Sequence, residues 1–203
     1  MSLTGWIHRN YVHGRRVRAL CDRLSELIPL DSSVLDVGCG DGLLADLVLQ
    51  KRSDIIVNGV DVLVRKETRI PVRLFDGTTI PLPDKSMDVV MFVDVLHHTE
   101  DPMVLLREAV RVARNVVVIK DHNVDGFLAG PTLRFMDRAA NARYGVALPY
   151  NYWTEQKWFD AFATLGLTVA CWRQDLRLYP RPANWFFERS LHFVARLNLE
   201  PDL

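Results

Sequence analysis

Apolar residues recur along this chain at two different periods, and the way the periods alternate predicts an architecture. Val17, Leu20, Cys21, Leu24, Leu27 and Ile28 fall at helical spacing and stop before Pro29, which predicts an amphipathic N-terminal helix. Short apolar runs at 34–37, 55–60, 72–75, 88–93 and 115–120 have the length of buried strands. Helical spacing returns between them over about 41–50 and 101–113, the second opening with Asp101-Pro102 as cap and first turn. Residues 121–153 are rich in Gly, Pro, Asn and Tyr and predict one helix, around Thr132 to Ala142. Thr154 then caps a helix carrying Trp158, Phe159, Phe162 and Leu165 and ended by Gly166, and 167–172 and 191–197 read as further strands. Alternating strand and helix imply an α/β fold with a parallel sheet covered on both faces. At 203 residues one domain is expected, burying about 70% of the surface its unfolded chain would expose.

The sharpest local signal is Val34-Leu35-Asp36-Val37-Gly38-Cys39-Gly40-Asp41-Gly42, a buried strand running straight into a glycine-rich turn. Leu43, Leu44, Leu47 and Val48 follow at helical spacing. Residues without a Cβ let backbone lie close to a ligand, and the next helix aims its unpaired N–H groups at the same place. A dinucleotide fingerprint would put its third glycine three residues after the second. Here Gly42 follows Gly40 by two, and Asp36 precedes Gly38 by two. A carboxylate there suits a cation or an amine better than a pyrophosphate. Ile55 to Val60 then ends in Asp61, about twenty residues on, where an acid accepts from ribose hydroxyls. Val62 and Leu63 suit an adenine face, and Leu74-Phe75-Asp76-Gly77 is another strand ending in an acid.

This set of motifs resembles the class I S-adenosylmethionine-dependent methyltransferases, and in particular the broad group that methylates small molecules. The segment Ser86 to His98 is similar to that family's fourth strand and following loop, so the resemblance runs over roughly residues 32–120. It implies a Rossmann-like, doubly wound sheet of seven strands in the order 3-2-1-4-5-7-6, the last antiparallel. It implies S-adenosyl-L-methionine as cofactor, held by Asp36, Gly38, Cys39, Gly40, Asp61, Val62, Asp76, Gly77 and Val93. Residues 1–30 are then a helical cap, 31–120 the cofactor half and 121–203 an acceptor half with a lid. One departure stands out. Only ten residues, Val62 to Pro71, separate Asp61 from the third strand, too few for the usual crossover helix. A short helix or a loop is expected there.

Composition narrows the partners. The 25 basic and 25 acidic residues balance, so no general field attracts nucleic acid or an anionic membrane. Arg9, Arg15, Arg16 and Arg18 form one local basic cluster, expected to be a solvated helix face. Cys21, Cys39 and Cys171 are odd in number and far apart, which suits a reducing cytoplasm. Cys39 is expected to serve as a small residue that fits the turn. No run approaches the ~20 apolar residues of a membrane span. A soluble cytoplasmic protein acting on a small-molecule acceptor is expected, with its oligomeric state open.

The transferable methyl arrives already activated, so a proton acceptor for a hydroxyl or ammonium is the main chemistry left to the protein. Asp121-His122, after the fifth strand, is the expected acceptor-specific pair, with His98 a further catalytic candidate. No metal is assigned, although Asp94, His97 and His98 resemble the Glu-x-x-Glu-His metal motif of some relatives. Tyr150, Tyr152 and Trp153 are expected in a lid, and Tyr144 lies in the same aromatic stretch. Two other readings stand beside this one. A silent cofactor-binding module would keep Gly38, Gly40 and Asp61 without turnover, and an NAD(P)-dependent oxidoreductase would bind NADH.

Overall fold

The computed structural model describes residues 14–141 and 149–200. Seven strands make one sheet: β1 (Ser33–Val37), β2 (Ile56–Asp61), β3 (Val72–Leu74), β4 (Met87–Val93), β5 (Ala113–His122), β6 (Leu167–Arg173) and β7 (His192–Leu199). Their order is β3-β2-β1-β4-β5-β7-β6. The first five pair in parallel, and β7 runs antiparallel to both β5 and β6. The helices are α1 (Gly14–Leu27), α2 (Leu43–Lys51), α3 (Pro102–Val112), α4 (Ala129–Asn141), α5 (Glu155–Thr164) and the single turn α6 (Asn184–Phe187).

Strand side chains alternate between two buried layers, as period two requires. Leu35, Val37, Val90, Phe92, Val117 and Ile119 face one core together with Leu105 and Leu106 of α3 and Trp158 and Phe162 of α5. Val34, Val89, Met91, Val116 and Val118 face the other, covered by Leu20 and Leu24 of α1 and Ala45 and Val48 of α2. Caps sit where the sequence puts them. Asp101 accepts the Met103 N–H at 2.9 Å, and Thr154 accepts that of Lys157 at 3.3 Å. Helix α4 begins three residues earlier than the periodicity suggests, with Pro131 inside its first turn, where a missing N–H costs nothing.

The short crossover after β2 is a loop with no helical turn, and the chain from 75 to 86 has none either. Without those helices Ile56, Val62, Leu63 and Leu74 stay exposed along the β2–β3 edge. Arg111 on α3 takes over part of the missing support. Its guanidinium donates to the carbonyls of Ile80 and Leu82, both at 2.9 Å, and to the carboxylates of Asp84 and Glu108. Glu108 in turn accepts the Ile80 N–H at 2.8 Å, which seats the fully buried Ile80. Arg111→Ala therefore costs about 1–3 kcal/mol of stability, read from the urea midpoint. A midpoint unchanged within error contradicts this role.

Candidate active site

The carboxyl ends of β1 and β4, neighbours where the strand order reverses, meet the glycine turn. Gly38, Gly40 and Gly42 all have positive φ, at 73°, 61° and 77°. Two of them are glycine because neighbours leave no room. A Cβ on Gly38 would lie 2.5 Å from Val95, and one on Gly42 would lie 2.6 Å from Ile70. A Cβ on Gly40 would meet no atom of the described residues within 4 Å, so among them its open side faces space that a ligand can use. Asp61, at the end of β2, pins this turn by accepting the Gly40 and Leu63 N–H groups, each at 2.8 Å.

The other expected cofactor residues rim the same strand ends. Burial and the neighbouring Asp61 push the buried Asp36 carboxyl up to about 7. Cys39 packs where a Cβ on Gly59 would lie 2.4 Å from its sulfur. Burial, with Asp36 and Asp61 nearby, pushes its pKa up to about 12, so it is a thiol and not a nucleophile. Val62 is exposed beside Gly77, whose Cβ would stand 3.1 Å from it. The exposed Asp76 accepts the N–H groups of Thr79 and Thr78 at 2.7 Å and the Thr78 hydroxyl at 2.9 Å, and these bonds hold its pKa down. Val93 closes β4 and packs partly buried on the core.

Beside the turn lies a buried polar cluster at the ends of β4 and β5. Asp94, held at φ 57°, accepts from Lys120 and, at 2.5 Å, from Arg16 of α1. Burial opposes its charge, but these two cations hold its carboxyl well below the usual range. Lys120 has no exposed surface, and burial lowers its pKa against the pull of Asp94. Asp121 accepts the Leu96 N–H at 3.0 Å, the His122 N–H at 2.7 Å and His97 Nδ1 at 2.6 Å. On its far side, His97 Nε2 stands 3.3 Å from Asp137 of α4, which also accepts the Tyr152 hydroxyl. Burial works against a charge on His97, yet Asp121 and Asp137 outweigh it and raise its pKa to about 10.

Asp121 and His122, the expected pair, do come together, with His122 Nδ1 3.4 Å from the carboxylate. The shorter side-chain contact of Asp121 is to His97. Burial and the nearby Lys120 and His97 drive the His122 pKa well down, so its imidazole is neutral. His98 is half-buried, and burial and His97 lower its pKa too. Arg16 corrects the solvated-face expectation: it points inward at Asp94, while Arg15 and Arg18 are exposed. Trp153, expected in a lid, is a core residue packed on Trp158 at 4.8 Å between centroids. Tyr150 and Tyr152 are partly exposed; Arg9 and Tyr144 lie outside the described residues.

Four members of the cluster were not singled out as site residues from the sequence: Arg16, Lys120, Asp137 and His192, whose Nδ1 is 3.4 Å from Lys120 Nζ. Two of them left a signal. Asp137 continues the apolar stripe Ala129, Leu133 at i+4 spacing, and Lys120 interrupts an apolar strand.

Comparison with known proteins agrees with this geometry. Residues 35–119 match the model of a family described as a methyltransferase domain. The chain is 32% identical over 110 residues to 27-O-demethylrifamycin SV methyltransferase of Amycolatopsis mediterranei, covering 47% of this chain and 40% of that protein. A probable S-adenosylmethionine-dependent methyltransferase of Mycolicibacterium smegmatis is 29% identical over 172 residues, covering 80% of this chain and 62% of that one. A Thermotoga maritima structure, described as an S-adenosylmethionine-dependent methyltransferase and possible histamine N-methyltransferase, shares the fold with a TM-score of 0.67. It is 17% identical, covering 98% of this chain and 96% of that one. In sequence over residues 35–119 and in the order of its sheet, the chain is similar to the S-adenosylmethionine-dependent methyltransferases. It spans about two-fifths and three-fifths of the length of the two relatives.

The residues present fit the cofactor of these methyltransferases: the space beyond Gly40, the buried Asp36 and the strand-end Asp61 would provide room and acceptors. Among the described residues no helix is long and apolar enough to cross a membrane, and all three cysteines are free. The ion cluster yields a stability test. Asp94→Ala leaves Lys120 buried without its carboxylate and costs about 3–5 kcal/mol in equilibrium denaturation. Lys120→Met, which removes the buried charge itself, costs clearly less. Equal losses would mean that the pair does not govern this region.

Proposed function

We propose that this protein transfers the methyl group of S-adenosylmethionine to a hydroxyl or amine of a small molecule. The acceptor lies between the 121–153 segment and the glycine turn. The observation that carries the reading is that the glycine turn after β1 and a cluster of three histidines after β4 and β5 stand at the carboxyl ends of neighbouring strands, with Val95, two residues before His97, packed against Gly38. The Amycolatopsis mediterranei relative, a 27-O-demethylrifamycin SV methyltransferase, and the structural neighbour from Thermotoga maritima, a possible histamine N-methyltransferase, support small acceptors. The free cysteines suit a reducing, cytoplasmic setting.

Bound S-adenosylmethionine supplies a methyl group on a sulfonium, an electrophile that needs no further activation. Asp36 would face its ammonium, Asp61 its ribose hydroxyls, Val62 and Gly77 its adenine, with Asp76 at the rim and Val93 beside the methyl. Cys39 fills the floor of the turn. Neutral His122 takes the proton released by the acceptor, and Asp121 holds His122 and His97 in place. His98 and Tyr152 border the acceptor, and closure over it excludes water.

Two measurements test this. S-adenosylhomocysteine affinity, followed by calorimetry, should rise as pH increases through about 7, because Asp36 must ionise to meet the ammonium. Asp36→Asn should flatten that rise, and an equally steep rise in the variant would contradict the assignment. His122→Ala should lower turnover by ~10²–10⁴ with little change in cofactor affinity. Near-normal turnover would remove His122 from the proton path.

A further inference from the structure

Asp94 does not fit the metal motif that its spacing with His97 and His98 resembles, because its carboxylate is committed to Lys120 and Arg16. A different set converges instead. We propose that His97 Nε2, His98 Nδ1 and a carboxylate oxygen of Asp137 form a binding site for one divalent transition-metal ion of the zinc class.

Three observations support it. The candidate ligand atoms of these three residues lie within 4.8 Å of one another. Both nitrogens are buried: His98 Nδ1 has no hydrogen-bond partner among the described residues, and His97 Nε2 faces only the Asp137 carboxylate that would share the ion. Nε2 is 3.3 Å from the Asp137 oxygen; two donors on a tetrahedral zinc at ~2.0–2.1 Å stand about 3.3 Å apart.

The surroundings match as well. His97 turns its other nitrogen, Nδ1, to the Asp121 carboxylate at 2.6 Å. A metal-binding histidine characteristically carries such a carboxylate, which fixes its tautomer and raises its basicity. Tyr152 donates to Asp137 and orients it in the same way. Two imidazoles and one carboxylate select zinc-like ions over magnesium or calcium. Three protein ligands leave a fourth position open, as catalytic zinc sites do.

The use of the ion rests on the function proposed above; its binding does not. With a hydroxyl acceptor at the open position, the ion lowers the pKa of the O–H group, whose proton passes to His122. The oxygen's electron pair forms the new C–O bond, and the S–CH₃ pair stays on sulfur as the thioether. The site thus favours oxygen acceptors over ammonium groups.

The test uses zinc chloride and cobalt chloride on the full chain stripped with a chelator and checked by circular dichroism. Wild-type protein should retain one equivalent of metal after dialysis and give an intense cobalt d–d spectrum. His98→Ala and Asp137→Asn should each lose at least tenfold in metal affinity, whereas folded His122→Ala should keep it. No retained metal in wild type would overturn the site, as would loss caused by His122→Ala and not by His98→Ala. Parallel calorimetry with S-adenosylhomocysteine separates the two readings. Cofactor binding without metal binding defeats only the metal site, and metal binding without cofactor binding defeats only the methyl-transfer reading.

Discussion

Lys120 sits in a central strand with none of its surface in contact with water, and a buried ammonium persists only against an anion. Asp94 supplies that anion, from the residue immediately after β4, and Arg16 of α1 completes the pairing from the helix packed across the sheet. Asp94 has a positive φ where it meets Lys120, and the chain after it turns across the strand ends. That turn lays Val95 against Gly38 and sends the Leu96 N–H into Asp121, which also grips His97. The pairing of Asp94 with the buried Lys120 and with Arg16 thus anchors the loop that joins the glycine turn to the histidine cluster. Both halves of the proposed chemistry depend on it.

Most of the fold was legible in the sequence because its signals are local. The strand before Gly38, the caps at Asp101 and Thr154 and the apolar faces of α3 and α5 each announce themselves within a few residues. The sheet order required the resemblance, since nothing in a strand's own residues names its neighbour. The crossover after β2 was legible as too short, and it is a loop. Its replacement support was not, because Arg111 acts on Ile80 and Leu82 from about thirty residues away.

The site was read unevenly for the same reason. Gly38, Gly40 and Asp61 belong to a pattern with fixed spacing, and they do gather at one turn. The histidine cluster draws on the 94–98 loop, β5, α4 and β7, and its partnerships are matters of tertiary geometry. Adjacency in sequence suggests Asp121 with His122, yet adjacent strand residues point to opposite faces and the carboxylate meets His97 at closer range. Nothing in the sequence separates Arg16 from Arg15 and Arg18; the position of Asp94 does.

The most direct measurement is a crystal structure with S-adenosylhomocysteine bound. Its ribose hydroxyls should lie on Asp61, its backbone contacts on the turn at Gly40, and its sulfur toward His97, His98 and His122. Contradiction would be density for the ligand elsewhere, for example in the cleft lined by Asn123, Glu155 and Gln174, or a sulfur turned away from the three histidines.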